Sequence, residues 1–394
     1  MNKSSQCIQI NNWIATLVLL FPFINGAIGV DGASLITLAM IGVLFLASMH
    51  QDKYKMLPVG IAFLLLISII FIISFLRIEP LSYTINYLLY FSAFNVIALF
   101  AGMLRVDVKM VIEHSVLVGC VGVFIYWARG TTYEDTGIQM GTAYAMIGIL
   151  FSSIIAILIR TKYKIFAIIN VLLVFLLHVQ KAPRGIWLSI GFYVAFLTFY
   201  LLTKNLNRAK GILVKFLLMG IAVVFIFGFL TNMSNILLCI NDYLIDKFNI
   251  QVYALWKFSY YLQKGDLLNG RSEIWESAIS AIREGGFFGN GIGYFESIME
   301  GGHTHNIVLQ TLCEAGIVFF IPLTYMLIKS IYILIVMTNR IESKEYLYFL
   351  LLFSYGVVML FYSSTHWLWV PFWFFVGYFI GNRKRFLHIN RGNE

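Results

Sequence analysis

The sequence predicts an all-α, polytopic integral membrane protein of about twelve transmembrane helices, with one large helical loop outside the membrane. Three observations carry that expectation. Hydrophobic residues make up 60% of the 394 residues and charged residues only 12%, where soluble domains run nearer half apolar and a quarter charged. Mean hydropathy is +0.83. Long apolar runs recur along the chain, and most cations fall in the short segments between them.

A bilayer core takes about 20 apolar residues per helix, within a range of about 17–25. Runs of that kind lie near 11–30, 33–49, 56–76, 83–104, 111–128, 140–159, 165–180, 185–202, 212–230, 307–328, 346–362 and 367–381. Met1-Asn2-Lys3 leads into the first run without a small-residue cleavage site, so that run reads as a retained span and not a cleaved signal peptide. Pro22, Pro58, Pro80 and Pro183 fall near span ends, where a missing backbone N–H is tolerated. The 35 Phe and 22 Tyr suit lipid-facing helices with aromatic belts.

The cations set the orientation. With the N-terminus inside, every inside segment is basic, from Lys53 and Lys55 to Arg383, Lys384 and Arg385, whereas the short outside loops carry only Arg77, Arg129, Lys181 and Arg184. That alternation places both termini in the cytoplasm. It also accounts for the net charge of +9 as membrane orientation, so nucleic acid is not an expected partner. Cys7, Cys120, Cys239 and Cys313 show no metal-ligand spacing. Unpaired buried thiols are expected of them, and a Cys239–Cys313 pairing is left open.

One outside loop is far longer than the rest. It divides the chain into spans one to nine (1–230), the loop itself (231–306), and spans ten to twelve with a cytoplasmic tail (307–394). A loop of roughly 75 residues is usually functional or a small domain in itself. Within it, Tyr253 to Leu262 is aromatic and weakly basic, suiting a segment in the membrane interface. Arg271 to Glu284 reads as a helix with Ile274, Ala278 and Ile282 on one face, stopped by Gly285-Gly286. The Gly289-Asn290-Gly291-Ile292-Gly293 stretch makes turns; it lacks the strand before and the helix after that a nucleotide-binding loop needs.

Three constellations can carry chemistry. His303-Thr304-His305-Asn306 stands where the loop enters the tenth span. Were that span helical from Thr304 onward, Asn306, Gln310 and Glu314 would form a polar strip at i, i+4, i+8, with His305 at the helix entrance. A histidine there titrates near neutrality and can accept a proton from a hydroxyl; otherwise His303 and His305 are interfacial residues that hydrogen-bond backbone. No acid or cysteine accompanies them as a further ligand, so no metal is expected. Glu314 is an acid inside an apolar stretch and a functional candidate by its position, or a structural partner of Asn306 or Gln310. Next, Arg184 follows Pro183 at the outer start of the eighth span. Arginine and free N–H groups at a helix N-terminus suit a phosphate or diphosphate, and Gly185 leaves room for an anion at the backbone; the other reading is a boundary anchor. Finally, Arg271 starts the loop helix, with Ser272 or Asn269 as cap, and Arg129 is a weaker candidate of the same kind.

Taken together, these residues resemble the O-antigen polymerase and O-antigen ligase group of bacterial membrane glycosyltransferases. The likeness rests on Pro183-Arg184-Gly185 at the outer start of a span and on the Arg-x-x-x-Trp helix Arg271–Trp275 followed by a Gly-x-Gly turn. It rests also on His305, Asn306, Leu309, Glu314 and Gly316, spaced as His-Asn-x-x-Leu-x-x-x-x-Glu-x-Gly. It covers most of the second half; the first half matches in hydropathy only. One departure is Ala182-Pro183 before Arg184, in place of a small hydroxyl residue. The resemblance implies transfer of undecaprenyl-diphosphate-linked oligosaccharide on the periplasmic face of the bacterial inner membrane, without cofactor, metal or nucleotide sugar. His305 is then the catalytic base, Arg184 and Arg271 the diphosphate clamp, and Asn306, Glu314 and Arg129 supporting residues.

The expected activity is that of an inverting O-antigen polymerase in lipopolysaccharide biosynthesis, with the lipid bilayer and a polysaccharide chain-length regulator as partners. Two readings stand beside it: an O-antigen ligase that passes the glycan to lipid A core, and a transporter of lipid-linked sugar. Transporters show matching halves and charged residues at midplane; here the halves differ and most spans lack ionisable groups.

Overall fold

The computed structural model of the chain describes residues 3–28, 57–79, 81–128, 136–179, 184–205, 239–249, 271–300, 302–339 and 341–388, together with 214, 217, 252, 255–256 and 260. Every regular element among the described residues is helical. Six helices are long and apolar enough to cross a membrane: Gly60–Arg77, Ser82–Met103, Val108–Ala128, Gly185–Thr203, Ile307–Val336 and Ser343–Phe361. A seventh is present if α1 (Lys3–Leu19) and α2 (Phe21–Ile28), bent by 63°, form one span. The expected spans near 33–49 and 212–230 lie outside the described residues, apart from Val214 and Leu217.

The helices follow the apolar runs. They are α3 (Leu57–Arg77), α4 (Ser82–Tyr90), α5 (Val96–Met103), α6 (Val108–Ala128), α7 (Thr136–Leu158), α8 (Lys164–Val179) and α9 (Arg184–Thr203). The described part of α8, 16 residues, is about 24 Å long. A π-helical turn, Phe91–Asn95, joins α4 to α5 and lets Asn95 Nδ2 donate to the carbonyl of Trp367. After the outer loop come α10 (Arg271–Gly285), the five-residue α11 (Tyr294–Ile298), α12 (Ile307–Val336), α13 (Ser343–Gly356) and α14 (Val370–His388).

The centre of the molecule is α13, whose membrane window is 83% buried. Beside it, rings from four elements pack edge and face: Phe91 lies 4.9 Å from Trp373, Phe319 5.5 Å from Trp367, and Trp367 5.8 Å from Trp373. Offset and edge-to-face pairs of this kind add to the area that the rings bury. This cluster forms a rigid floor under the start of α12.

Candidate functional site

Helix α12 is broken nine residues after it begins, and the break organises the site. Gly316 takes φ 62°, ψ −165° in the middle of the helix, a conformation open to glycine. The carbonyls that lose their helical partners are met by the glycine-rich turn: Asn290 N donates to Cys313 O (2.9 Å) and Gly291 N to Glu314 O (2.9 Å). Asn290 Nδ2 also donates to Ala281 O (2.7 Å) and Cys313 O (3.1 Å), tying α10 to α12. From outside the turn, Arg77 Nη1 donates to Gly289 O (3.0 Å). The Gly-x-Gly stretch is therefore a plug for a helix break and not a phosphate cradle.

Glu314, fully buried, is the hub of this plug. Its Oε1 accepts from the backbone N–H groups of Gly293 (3.0 Å) and Phe295 (3.3 Å), and Oε2 accepts from Trp367 Nε1 (2.7 Å). A buried acid is held only with such donors in place. The expected strip from Asn306 to Glu314 is corrected here. The helix begins at Ile307 and not at Thr304, because Asn306 is its N-cap: extended at φ −152°, ψ 114°, it accepts through Oδ1 from Val308 N (2.9 Å) and Leu309 N (3.3 Å). Gln310 turns to the preceding loop, its Oε1 accepting from Thr304 N (3.1 Å).

His305 stands one residue before the cap, in the left-handed region at φ 52°. That conformation is uncommon for a residue with a Cβ and is held where the surroundings over-determine it. Here Thr304 is gripped on both sides, by Gln310 and by Trp275 Nε1, which donates to Thr304 O (3.0 Å). His305 Nδ1 is buried and has no hydrogen-bond partner among the described residues. Burial first, then the charges of Arg271 and His303, hold the His305 imidazole down at about 4, so it is neutral at physiological pH. His303 lies 6.2 Å from it, ring to ring, and its Nδ1 pairs with Glu296 Oε1. Tyr87 donates its hydroxyl to the same Glu296 oxygen. Among the described residues no group of three or more His, Cys, Asp or Glu stands where it could hold a metal ion.

The arginines approach through Tyr362. Arg271, first residue of α10, donates from Nη2 to the carbonyl of Tyr362 (2.8 Å). Arg184 is the first residue of α9, and the next residue packs on the same tyrosine: a Cβ on Gly185 would fall 2.8 Å from Tyr362 Cδ2 and would also strike Tyr144. One turn on, Ser189 hydrogen-bonds the Tyr362 hydroxyl. The space expected to admit an anion at Gly185 is thus filled by two tyrosine rings. Tyr362 brings the start of α9 and the Arg271 guanidinium together, and the Arg271 charge reaches His305.

Of the residues expected from sequence, His305, Asn306 and Glu314 lie at and just before the start of α12, while Arg271 and the start of α9, where Arg184 is the first residue, both pack on Tyr362. Arg129 and Pro183 lie outside the described residues, as does most of Tyr253 to Leu262. Sequence reasoning missed Glu296, Tyr87, Tyr362 and Trp367. Only Glu296 left a trace, as an acid eighteen residues before Glu314 among Ile292, Tyr294, Phe295, Ile298 and Met299, and no spacing rule singles it out. Cys313 is buried and Cys239 exposed, and both thiols are free.

Comparison with known proteins agrees with this half of the chain. Residues 172–324 match a family model described as O-antigen ligase. An uncharacterized protein of Haemophilus influenzae is 26% identical to this chain, the match covering 59% of the chain and 61% of the relative. No solved structure matches. The part of this helical membrane protein that is similar to the O-antigen ligase family, residues 172–324, holds Arg184, Arg271, His305, Asn306 and Glu314.

Proposed function

We propose that the chain is an O-antigen polymerase that transfers an undecaprenyl-diphosphate-linked glycan to a hydroxyl of another lipid-linked repeat unit on the periplasmic face of the inner membrane. One observation carries the reading: His305, with an unpartnered buried Nδ1, stands directly before the cap of the broken helix, within the residues that match the O-antigen ligase family model. In the proposed step the acceptor oxygen attacks the anomeric carbon, its proton passes to His305, and the carbon–oxygen bond to the diphosphate breaks. Arg184 and Arg271 offset the charge that develops on the leaving diphosphate, which leaves no task for a metal. A single displacement of this kind inverts the anomeric centre.

The low basicity of His305 fits this scheme once substrate is considered. Burial is the main cause of the low imidazole pKa, and the Arg271 charge adds to it; a diphosphate beside Arg271 offsets that second part, so the base gains some strength when the substrate is bound. The imidazole, held down to about 4, is neutral at physiological pH, the state that a base requires.

The description of the matching family as O-antigen ligase favours a second reading, transfer of finished glycan to lipid A core. Lipopolysaccharide banding in a deletion strain separates the two. A polymerase deletion leaves a single repeat unit on the core, whereas a ligase deletion leaves bare core. Restoration of the full ladder by a His305→Ala variant present at normal level in the membrane would overturn both.

A further inference from the structure

The inner half of α12 lines a cavity that the proposed transfer does not use. It measures 490 Å³ and is walled by α12 and α14, with Phe63 of α3 and Phe319 on its sides. Leu323, Met326, Val376 and Phe379 make it apolar, yet its lining also includes two cations, Lys329 and Arg383. Among the described residues neither cation is paired with a carboxylate. Lys329 Nζ instead stands over the rings of Tyr332 (5.5 Å) and Tyr325 (6.0 Å). Tyrosines beside a cation mark the membrane–water boundary. The helix face next to them, with Ile321, Tyr325 and Ile328 all more than half exposed, is apolar enough to meet acyl chains.

We propose that this cavity binds one anionic phospholipid, its phosphate held by Lys329 and Arg383 and an acyl chain laid along Leu323, Met326 and Phe319. The charge pattern selects the occupant. Basic pockets between membrane helices attract anionic lipid head groups, while a zwitterionic lipid brings no net charge to offset the two cations. Position separates it from the reacting lipid. By the cation pattern Lys329 and Arg383 fall in inside segments, whereas His305 stands before the outer start of α12, 24 residues ahead of Lys329 and across the break at Gly316. The bound lipid therefore belongs to the leaflet opposite His305. Its acyl chain touches Phe319, which packs 5.5 Å from Trp367, the indole that donates to Glu314. Occupancy thereby braces the broken segment of α12 from below.

The test uses full-length protein in phosphatidylcholine nanodiscs, with phosphatidylglycerol titrated in and bound lipid counted by native mass spectrometry. Wild type is expected to retain one phosphatidylglycerol in preference to phosphatidylcholine. Each cation is worth about fivefold near an anionic head group, so Lys329→Gln with Arg383→Gln should weaken retention about 25-fold. Lys329→Arg with Arg383→Lys should keep it. Met326→Trp leaves both charges in place but fills the cavity, and should abolish retention while the protein still elutes as a single folded species. Equal retention of the two lipids, or undiminished phosphatidylglycerol binding in the double Gln variant, would overturn the proposal. So would displacement of phosphatidylglycerol by undecaprenyl phosphate at equal concentration, which would reassign the cavity to the tail of the reacting lipid.

Discussion

A Cβ placed on Gly289 would lie 2.6 Å from the amide nitrogen of Gly316 and equally close to the carbonyl of Glu314. The loop backbone enters the break in α12 at that point, and neither chain leaves room for a side chain. Both glycines have positive φ, 74° and 62°. Alanine at either position must bear a conformation of positive φ and extended ψ that is essentially open to glycine alone, at about 1–3 kcal/mol, and must also push two backbones apart. Gly289→Ala and Gly316→Ala should each lower the melting temperature in detergent by several degrees and remove most of the proposed transfer activity. An unchanged melting curve for Gly316→Ala would show that the plug and the break are not in register.

Much of this arrangement was legible in the residues themselves. Arg271 with Ile274, Ala278 and Ile282 gave the loop helix, and Gly285-Gly286 its end, because helix periodicity and stop signals are local. The six long spans follow from hydropathy for the same reason. The role of Glu314 was not legible, since its three donors come from Gly293, Phe295 and Trp367, and no local rule connects those positions. The tenth span reads from 307, where the helix does begin, but the conditional strip from Asn306 does not form: Asn306 is extended and caps the helix, a role that only the backbone shows. Tyr362 escaped for a further reason. It acts on Arg271 through its carbonyl, which every residue possesses.

Glu314 should tolerate amide substitution better than truncation. Glutamine keeps an acceptor for Gly293 N and Phe295 N but turns a donor toward Trp367 Nε1. Alanine strands all three donors, and each unsatisfied buried donor costs about 1–3 kcal/mol. Thermal melts should rank wild type above Glu314→Gln, and Glu314→Ala lowest. Equal melting of the two variants would mean that the three hydrogen bonds do not hold the loop.

Asn306 offers a narrower test. Loss of its cap bonds to Val308 and Leu309 in Asn306→Ala should cost about 1 kcal/mol. Aspartate caps as well as asparagine does, so Asn306→Asp should melt like wild type. Because the cap also fixes the residue before it, Asn306→Ala should lower kcat at normal protein level. Wild-type kcat combined with a lower melting temperature would separate capping from the chemistry.

The His305 imidazole, at about 4 against an ordinary 6.5, gives the most specific prediction. The unfolded chain takes up this proton before the folded protein does, so the contribution of His305 to stability is present above pH 6.5. It is lost as pH falls through about 4. His305→Gln should flatten the melting temperature over that window. Kinetically, kcat/KM reports the free enzyme and kcat the substrate complex. Its acid limb should therefore lie at lower pH in kcat/KM than in kcat, because bound diphosphate cancels part of the Arg271 charge. Arg271→Gln removes that charge outright and should move the kcat/KM limb upward, though not to the ordinary histidine range, because burial, the larger cause, remains. Arg271→Lys keeps the charge but loses the guanidinium fork; it should leave the limb in place while lowering kcat/KM about tenfold, the loss of about 1.4 kcal/mol for a charge-assisted hydrogen bond. Coincident acid limbs for kcat and kcat/KM in wild type, with no shift in Arg271→Gln, would remove His305 as the base.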